Sequence, residues 1–132
     1  MREWVLDLPW ATPPVKPNGG YGNRYVHAAK VKAVRQAAGQ LARAAAIPEL
    51  SRCQVLLEWH VGDRTKRDAD NLVMLLKVLC DSISGGRAAR KVPTDWNVVP
   101  DDAPEFMDKL MPRVVYVKGQ AKRMTLTIRE IS

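Results

Sequence analysis

The sequence predicts one α+β domain: a mixed β-sheet carrying two main helices and closing with a C-terminal hairpin. Three observations carry that expectation. Its 132 residues suffice for one modest hydrophobic core but not for two, so 1–132 reads as a single unit. Strand-like and helix-like apolar periods alternate over most of the chain. Near the C-terminus two strand-like runs then follow each other directly.

The elements follow in order. Trp4, Leu6 and Leu8 alternate with Val5 and Asp7, a period of two that predicts a short strand ended by Pro9. From Pro9 to Asn23, Pro13, Pro14 and Pro17 with Gly19, Gly20 and Gly22 predict a loop, closed by Asn23-Arg24-Tyr25. A helix is expected from about His27 to Ala46, stopped by Pro48, with Lys30, Lys32, Arg35 and Arg43 making its polar face basic. Cys53, Val55, Leu57, Trp59 and Val61 form the apolar side of a second strand running into Gly62-Asp63. Leu72, Leu75, Leu76, Leu79 and Ile83 keep a helical period, which predicts a helix from about Asp70 to Ser84 ended by Gly85-Gly86. Arg87, Arg90 and Lys91 lead to Trp96–Val99 and then to Pro100-Asp101-Asp102-Ala103-Pro104, an acidic turn whose prolines restrict its path. The runs Val114–Lys118 and Met124–Ile131, joined through Gly119-Gln120, are expected to pair as the terminal hairpin.

Hydrophobic residues at 46% and charged residues at 27% suit a globular chain and give no reason to invoke disorder. Lys and Arg outnumber Asp and Glu by 21 to 14, a net charge of +7. Such a surplus points to a polyanionic partner, nucleic acid first, because each phosphate contact releases condensed counterions. The competing explanation is that the charge only keeps a small protein in solution. Cys53 and Cys80 lie in apolar segments with no close pair of the Cys-x-x-Cys kind, which argues against zinc and disulfides and suits a reducing compartment. Asp7, Pro9, Pro13 and Pro14 interrupt any apolar leader, and no apolar run reaches membrane-spanning length, so a cytoplasmic chain with no membrane partner is expected. A Gly-rich phosphate loop and a nucleophile paired with a base are both missing, which argues against a small-molecule cofactor or substrate. His27 and His60 are too far apart in sequence to read as a pair.

The chemistry concentrates in Arg64-Thr65-Lys66-Arg67-Asp68-Ala69-Asp70-Asn71-Leu72. Two carboxylates one residue apart sit among cations immediately before an apolar helix. On extended backbone residues two apart point the same way, so Asp68 and Asp70 can face one hard divalent cation, while the cations attract a phosphate backbone. Asp is also a favoured N-cap, so one of the pair capping the helix is the simpler alternative, and one Asp can do both. Asp101-Asp102 lies beyond the helix, and the return segment is expected to bring it back beside Asp68 and Asp70, although an acidic turn between prolines is by itself more often just a solvated turn.

Arg67-Asp68-Ala69-Asp70-Asn71-Leu72, a helix bearing Lys77 and Asp81, and Val98-Val99-Pro100-Asp101-Asp102-Ala103-Pro104-Glu105-Phe106 together resemble the RusA-type Holliday junction resolvases. Leu8-Pro9-Trp10, Pro13-Pro14 and Asn23-Arg24-Tyr25 are similar to the family's N-terminal segment, so the resemblance runs from residue 6 to about 130. It implies a homodimeric, Mg²⁺-dependent endodeoxyribonuclease of DNA recombination and repair, with Mn²⁺ as a substitute metal, that binds four-way junctions and makes paired nicks. The family's catalytic aspartates fall on Asp68, Asp70 and Asp102, with Asp101 as a helper. One departure stands out: the family's helix lysine, four residues after the second aspartate, is replaced by Met74. Lys77 takes its place in this reading, seven residues after Asp70 and about 10.5 Å along a helix axis.

The expected mechanism is hydrolysis by metal-activated water, with Asp68, Asp70 and Asp102 as hard oxygen ligands and Lys77 steadying the developing charge. Phosphate contacts are expected from Arg24, Lys30, Lys32, Arg35, Arg64, Lys66 and Arg67, which give affinity without sequence information. Tyr25 is a candidate for base stacking, against an ordinary structural tyrosine. Two alternatives remain open: a nuclease of other branched DNA or RNA, and a non-catalytic DNA-binding module whose aspartates are caps and turn formers.

Overall fold

The computed structural model describes residues 1–15, 24–84 and 95–132. They form β1 (Glu3–Leu8), α1 (Arg24–Ala44), β2 (Cys53–Val61), a 3-10 turn (Ala69–Leu72) leading into α2 (Val73–Ile83), β3 (Met107–Lys109), β4 (Arg113–Tyr116) and β5 (Arg123–Glu130). Two helices on a mixed five-stranded sheet make the fold α+β. The Pro17–Asn23 part of the first loop, the Gly85-Gly86 stop and the Arg87, Arg90 and Lys91 cations lie outside the described residues.

Strand β2 organises the sheet. Along one edge it pairs antiparallel with β5, which pairs antiparallel with β1 on its far side. Its other edge carries β3 against Cys53–Val55 and β4 against Glu58–Val61, both parallel. The expected hairpin of the last two strands is therefore wrong: β2 lies between β4 and β5. The chain from β4 wraps the end of β2, with the Val117 N–H donating to the Val61 carbonyl at 3.0 Å and the Gly119 N–H to Gly62 at 3.1 Å. Met124, Leu126 and Ile128 of β5 then sit opposite Trp59, Leu57 and Val55, and opposite Leu8, Leu6 and Trp4. Long β5 thereby buries apolar side chains between two neighbours, more than short β4 offers it as a partner.

The core lies where Cys53, Val55 and Leu57 meet the helices. α1 buries Val34, Ala38, Gly39 and Ala42 and packs against α2. α2 buries Leu75, Leu76, Val78, Leu79, Cys80 and Ile83, each large apolar side chain stabilising the fold by about 1.5–3 kcal/mol. α1 starts three residues before His27 and stops before Ala46, whose φ of 53° turns the chain so that Ile47 enters the core. Burial pushes the Cys53 thiol up to about 11 and Cys80 to about 12, so both are inert core groups. No helix among the described residues is long and apolar enough to cross a membrane.

Candidate metal centre and nucleic-acid surface

The basic loop between β2 and α2 is built around two arginines that point into different surroundings. Gly62 begins it, and a Cβ there would lie 2.1 Å from the Gln120 carbonyl oxygen, so only glycine lets the β4–β5 turn pass. Asp63 accepts the Thr65 N–H at 3.1 Å and pairs with Arg67 at 2.8 Å. The Arg67 hydrogen bond, aided by Thr65, holds the Asp63 carboxyl down at about 2. Arg67 also donates to the Thr65 carbonyl at 3.0 Å, lies 5.1 Å from the Trp59 ring centroid, and has a side chain only 9% exposed. It is an internal clamp of the loop, which corrects its expected role as a phosphate contact. Arg64 instead reaches over Tyr116, 4.7 Å from the ring centroid, and remains exposed, as does Lys66.

Clamping the loop delivers Asp68 and Asp70 to the helix start. Asp68 is extended, with φ −103° and ψ 121°, and its Oδ1 accepts the Asp70 N–H at 3.0 Å. That bond opens a 3-10 turn before α2, where the periodicity alone predicts a continuous helix from Asp70. Asp68 thus caps the turn through one oxygen and keeps a second for another partner. Both carboxylates are exposed.

Asp102 lies elsewhere. The return segment meets the end of α2, with the Trp96 N–H donating to Ser82 at 2.9 Å and the Val98 N–H to Ile83 at 2.7 Å. β3 then enters beside the first residues of β2. Because α2 runs back along β2, the acidic turn arrives at its C-terminal end, about 16 Å of helix from Asp68 and Asp70. Asp102 accepts a bond from Lys109 Nζ at 2.9 Å, and its own N–H donates to Asp101 Oδ1 at 2.9 Å. The expected gathering of Asp68, Asp70 and Asp102 is not what this path builds. Among the described residues no group of three or more His, Cys, Asp or Glu side chains is placed to hold a metal ion.

What assembles at that end is a compensated cluster. The Lys109 bond is the main cause of a lowered Asp102 carboxyl. Burial and then the Asp102 charge push the half-buried Asp81 carboxyl up, against Arg35, Lys77 and Lys109. Burial alone would lower Lys109, but the Asp102 bond and the nearby acidic groups leave it raised. Arg35 forks onto Asp95 with bonds of 2.8 and 2.5 Å, so this expected phosphate contact is occupied within the chain. Lys77 is exposed one turn before Asp81. Asp81 enters the sequence reading only through the resemblance, beside Lys77, and its spacing of four residues from Lys77 puts the two on one helix face. Lys109 had no such signal, because its place depends on the β2–β3 register.

The donor chemistry at the start of α2 fits a hard divalent cation. Magnesium commonly takes one or two protein carboxylates and leaves its other positions to water and phosphate oxygens. Asp68 and Asp70 suit that pattern; Asp102, held by Lys109, does not join them as a third ligand in this arrangement. On α1, Arg24 is exposed with its guanidinium over the Tyr25 ring, 5.2 Å from the centroid, and Lys30 and Lys32 are exposed. His60 is 3.2 Å from Thr125 Oγ1 within the sheet. No family model matches the chain, and no curated protein sequence matches it.

Proposed function

We propose that the chain is a RusA-type, Mg²⁺-dependent endodeoxyribonuclease that resolves four-way DNA junctions by paired nicks. The observation that carries this reading is the exposure of Asp68 and Asp70 at the start of α2, on a loop that also presents Arg64 and Lys66 to solvent. Attraction for phosphate and ligands for a hard cation are thereby offered from one short segment. The motif order around Asp68, Asp70, Lys77 and Asp101-Asp102 supplies the family assignment.

In this mechanism Asp68 and Asp70 would hold the cation, and the Asp70 N–H donating to Asp68 Oδ1 keeps the two residues together. Bound magnesium supplies Lewis-acid polarisation of the scissile phosphate and a more acidic water. Arg64 and Lys66 draw the phosphodiester toward the carboxylates, and Arg24, Lys30 and Lys32 extend the basic surface over α1. Lys77, further along α2, offsets charge that accumulates on the phosphate. A homodimer suits the reaction, since two symmetric cuts across a two-fold junction call for two equivalent sites.

A synthetic four-way junction incubated with and without Mg²⁺ tests the proposal. Wild type should make paired nicks only with the metal, and Asp70→Asn should shift the junction in a gel yet leave it intact. Undiminished cutting by Asp70→Asn overturns the assignment. The Lys109–Asp102 pair favours one other reading, a non-catalytic DNA-binding module in which the aspartates only cap and turn the chain. Binding without any Mg²⁺-dependent cutting supports it, and preferential cutting of forks, flaps or RNA at matched salt supports a nuclease of other branched structures.

A further inference from the structure

We infer that Arg64 and Tyr116 form a stacking platform for an unstacked base of branched DNA. The inference rests on the nucleic-acid reading above but on no step of cleavage. Tyr116 ends β4, in register with Val61, and is 38% exposed although Val61 is buried. The Arg64 guanidinium carbon lies over its ring, 4.7 Å from the centroid, so a cation and an aromatic face are already joined there.

The backbone beneath the stack is held in place. Besides the two bonds that tie Val117 and Gly119 to the end of β2, the Gln120 N–H donates to the Val117 carbonyl at 3.0 Å, closing a tight turn. Gly119 takes the left-handed φ of 77° that this turn requires. The turn presents Val117, 53% exposed, with Lys118 and Lys122 exposed on either side of the bend. An apolar tip, an aromatic ring with a guanidinium over it and flanking ammonium groups match the parts of a nucleotide: sugar, base face and phosphate. A second copy is disfavoured at this face, because its own Arg64, Lys118 and Lys122 would meet the same cations. Intact duplex hides its base faces, so the platform discriminates toward branch points and single strands. The loop that carries Arg64 reaches Asp68 four residues later, which links base capture to the carboxylate pair.

The test is binding in EDTA, where no cutting occurs. Affinities of wild type, Tyr116→Ala and Tyr116→Phe are measured for a four-way junction, a single strand and a duplex of the same sequence at one salt concentration. Tyr116→Ala should weaken junction and single-strand binding about tenfold while leaving duplex binding unchanged, and Tyr116→Phe should behave as wild type. A junction carrying 5-iodouracil at the branch point should photo-crosslink to Tyr116. Equal affinities for wild type and Tyr116→Ala overturn the platform, as does an equal loss on all three DNAs. Conversion of a dimer to a monomer by Tyr116→Ala also overturns it, in favour of a contact between copies. Wild type binding none of the DNAs removes the nuclease reading as well, whereas junction cutting with an inert Tyr116→Ala removes only the platform.

Discussion

The two ends of α2 place carboxylates in opposite settings. At the N-terminal end Asp68 and Asp70 are exposed, and the arginine nearest them, Arg67, is turned away onto Asp63 and Trp59. At the C-terminal end Asp81 and Asp102 are partly buried and face Lys77, Lys109 and Arg35. Burying a carboxylate costs free energy unless a cation and hydrogen bonds compensate it, so the inner pair comes with its own counter-charges. An exposed pair needs no such provision, and one Asp68 oxygen accepts the Asp70 N–H while both side chains stay open to solvent. The difference separates carboxylates that serve the fold from carboxylates that can serve a ligand.

The largest expected effect sets the two ends against each other directly. Asp70→Asn should lower junction cutting by at least about 100-fold, while Asp102→Asn should cost far less and act mainly on stability. Equal losses for the two would make Asp102 part of the same centre. Next, Arg35→Ala should destabilise by about 2 kcal/mol in urea unfolding, because Asp95, with a side chain only 6% exposed, loses its fork-like partner. The double variant with Asp95→Asn should recover part of that loss. Gly62→Ala should cost about 1–3 kcal/mol, since the clash is with the Gln120 backbone and not with a side chain that can swing aside. Junction binding should fall with it as the basic loop and the β4–β5 turn separate.

The smallest effect is a pH dependence confined to the basic loop. The Asp63 carboxyl titrates at about 2 in the folded chain, below the ordinary value of about 3.9. A lowered acid contributes stability that is present above its unfolded value and lost as pH falls through the folded one. The loop clamp should therefore hold above about pH 4 and weaken toward pH 2. The Thr65 amide resonance should follow a midpoint near 2. A midpoint near 4 would show that Arg67 does not hold Asp63.

Much of this organisation was legible in the residues. The alternation from Cys53 to Val61 marks β2 residue for residue, and the leucine period from Leu72 to Ile83 marks the buried face of α2. Both are local consequences of side-chain geometry along one element. The capping of the helix start by Asp68 was equally readable, because it needs only neighbours two residues away. The supposed hairpin failed for a physical reason: pairing β4 with β2 or with β5 leaves the same alternation in each strand. Nothing local tells β5 that it will lie between β1 and β2.

Local patterning alone is enough for the fold class, for β1, β2, β5 and the two helices, and for the placing of acids beside a basic loop at the start of α2, but it carries no sign of β3, whose Met107 enters the core. Tertiary structure alone decided that Arg67 and Arg35 are consumed internally, that Asp102 meets Lys109 and Asp81 at the far end of the helix, and that Arg64 stacks on Tyr116. The reason is separation along the chain: a cap or an amphipathic period is set by residues a few positions apart. A contact between residues 52 positions apart, such as Arg64 and Tyr116, exists only once β4 has paired with β2.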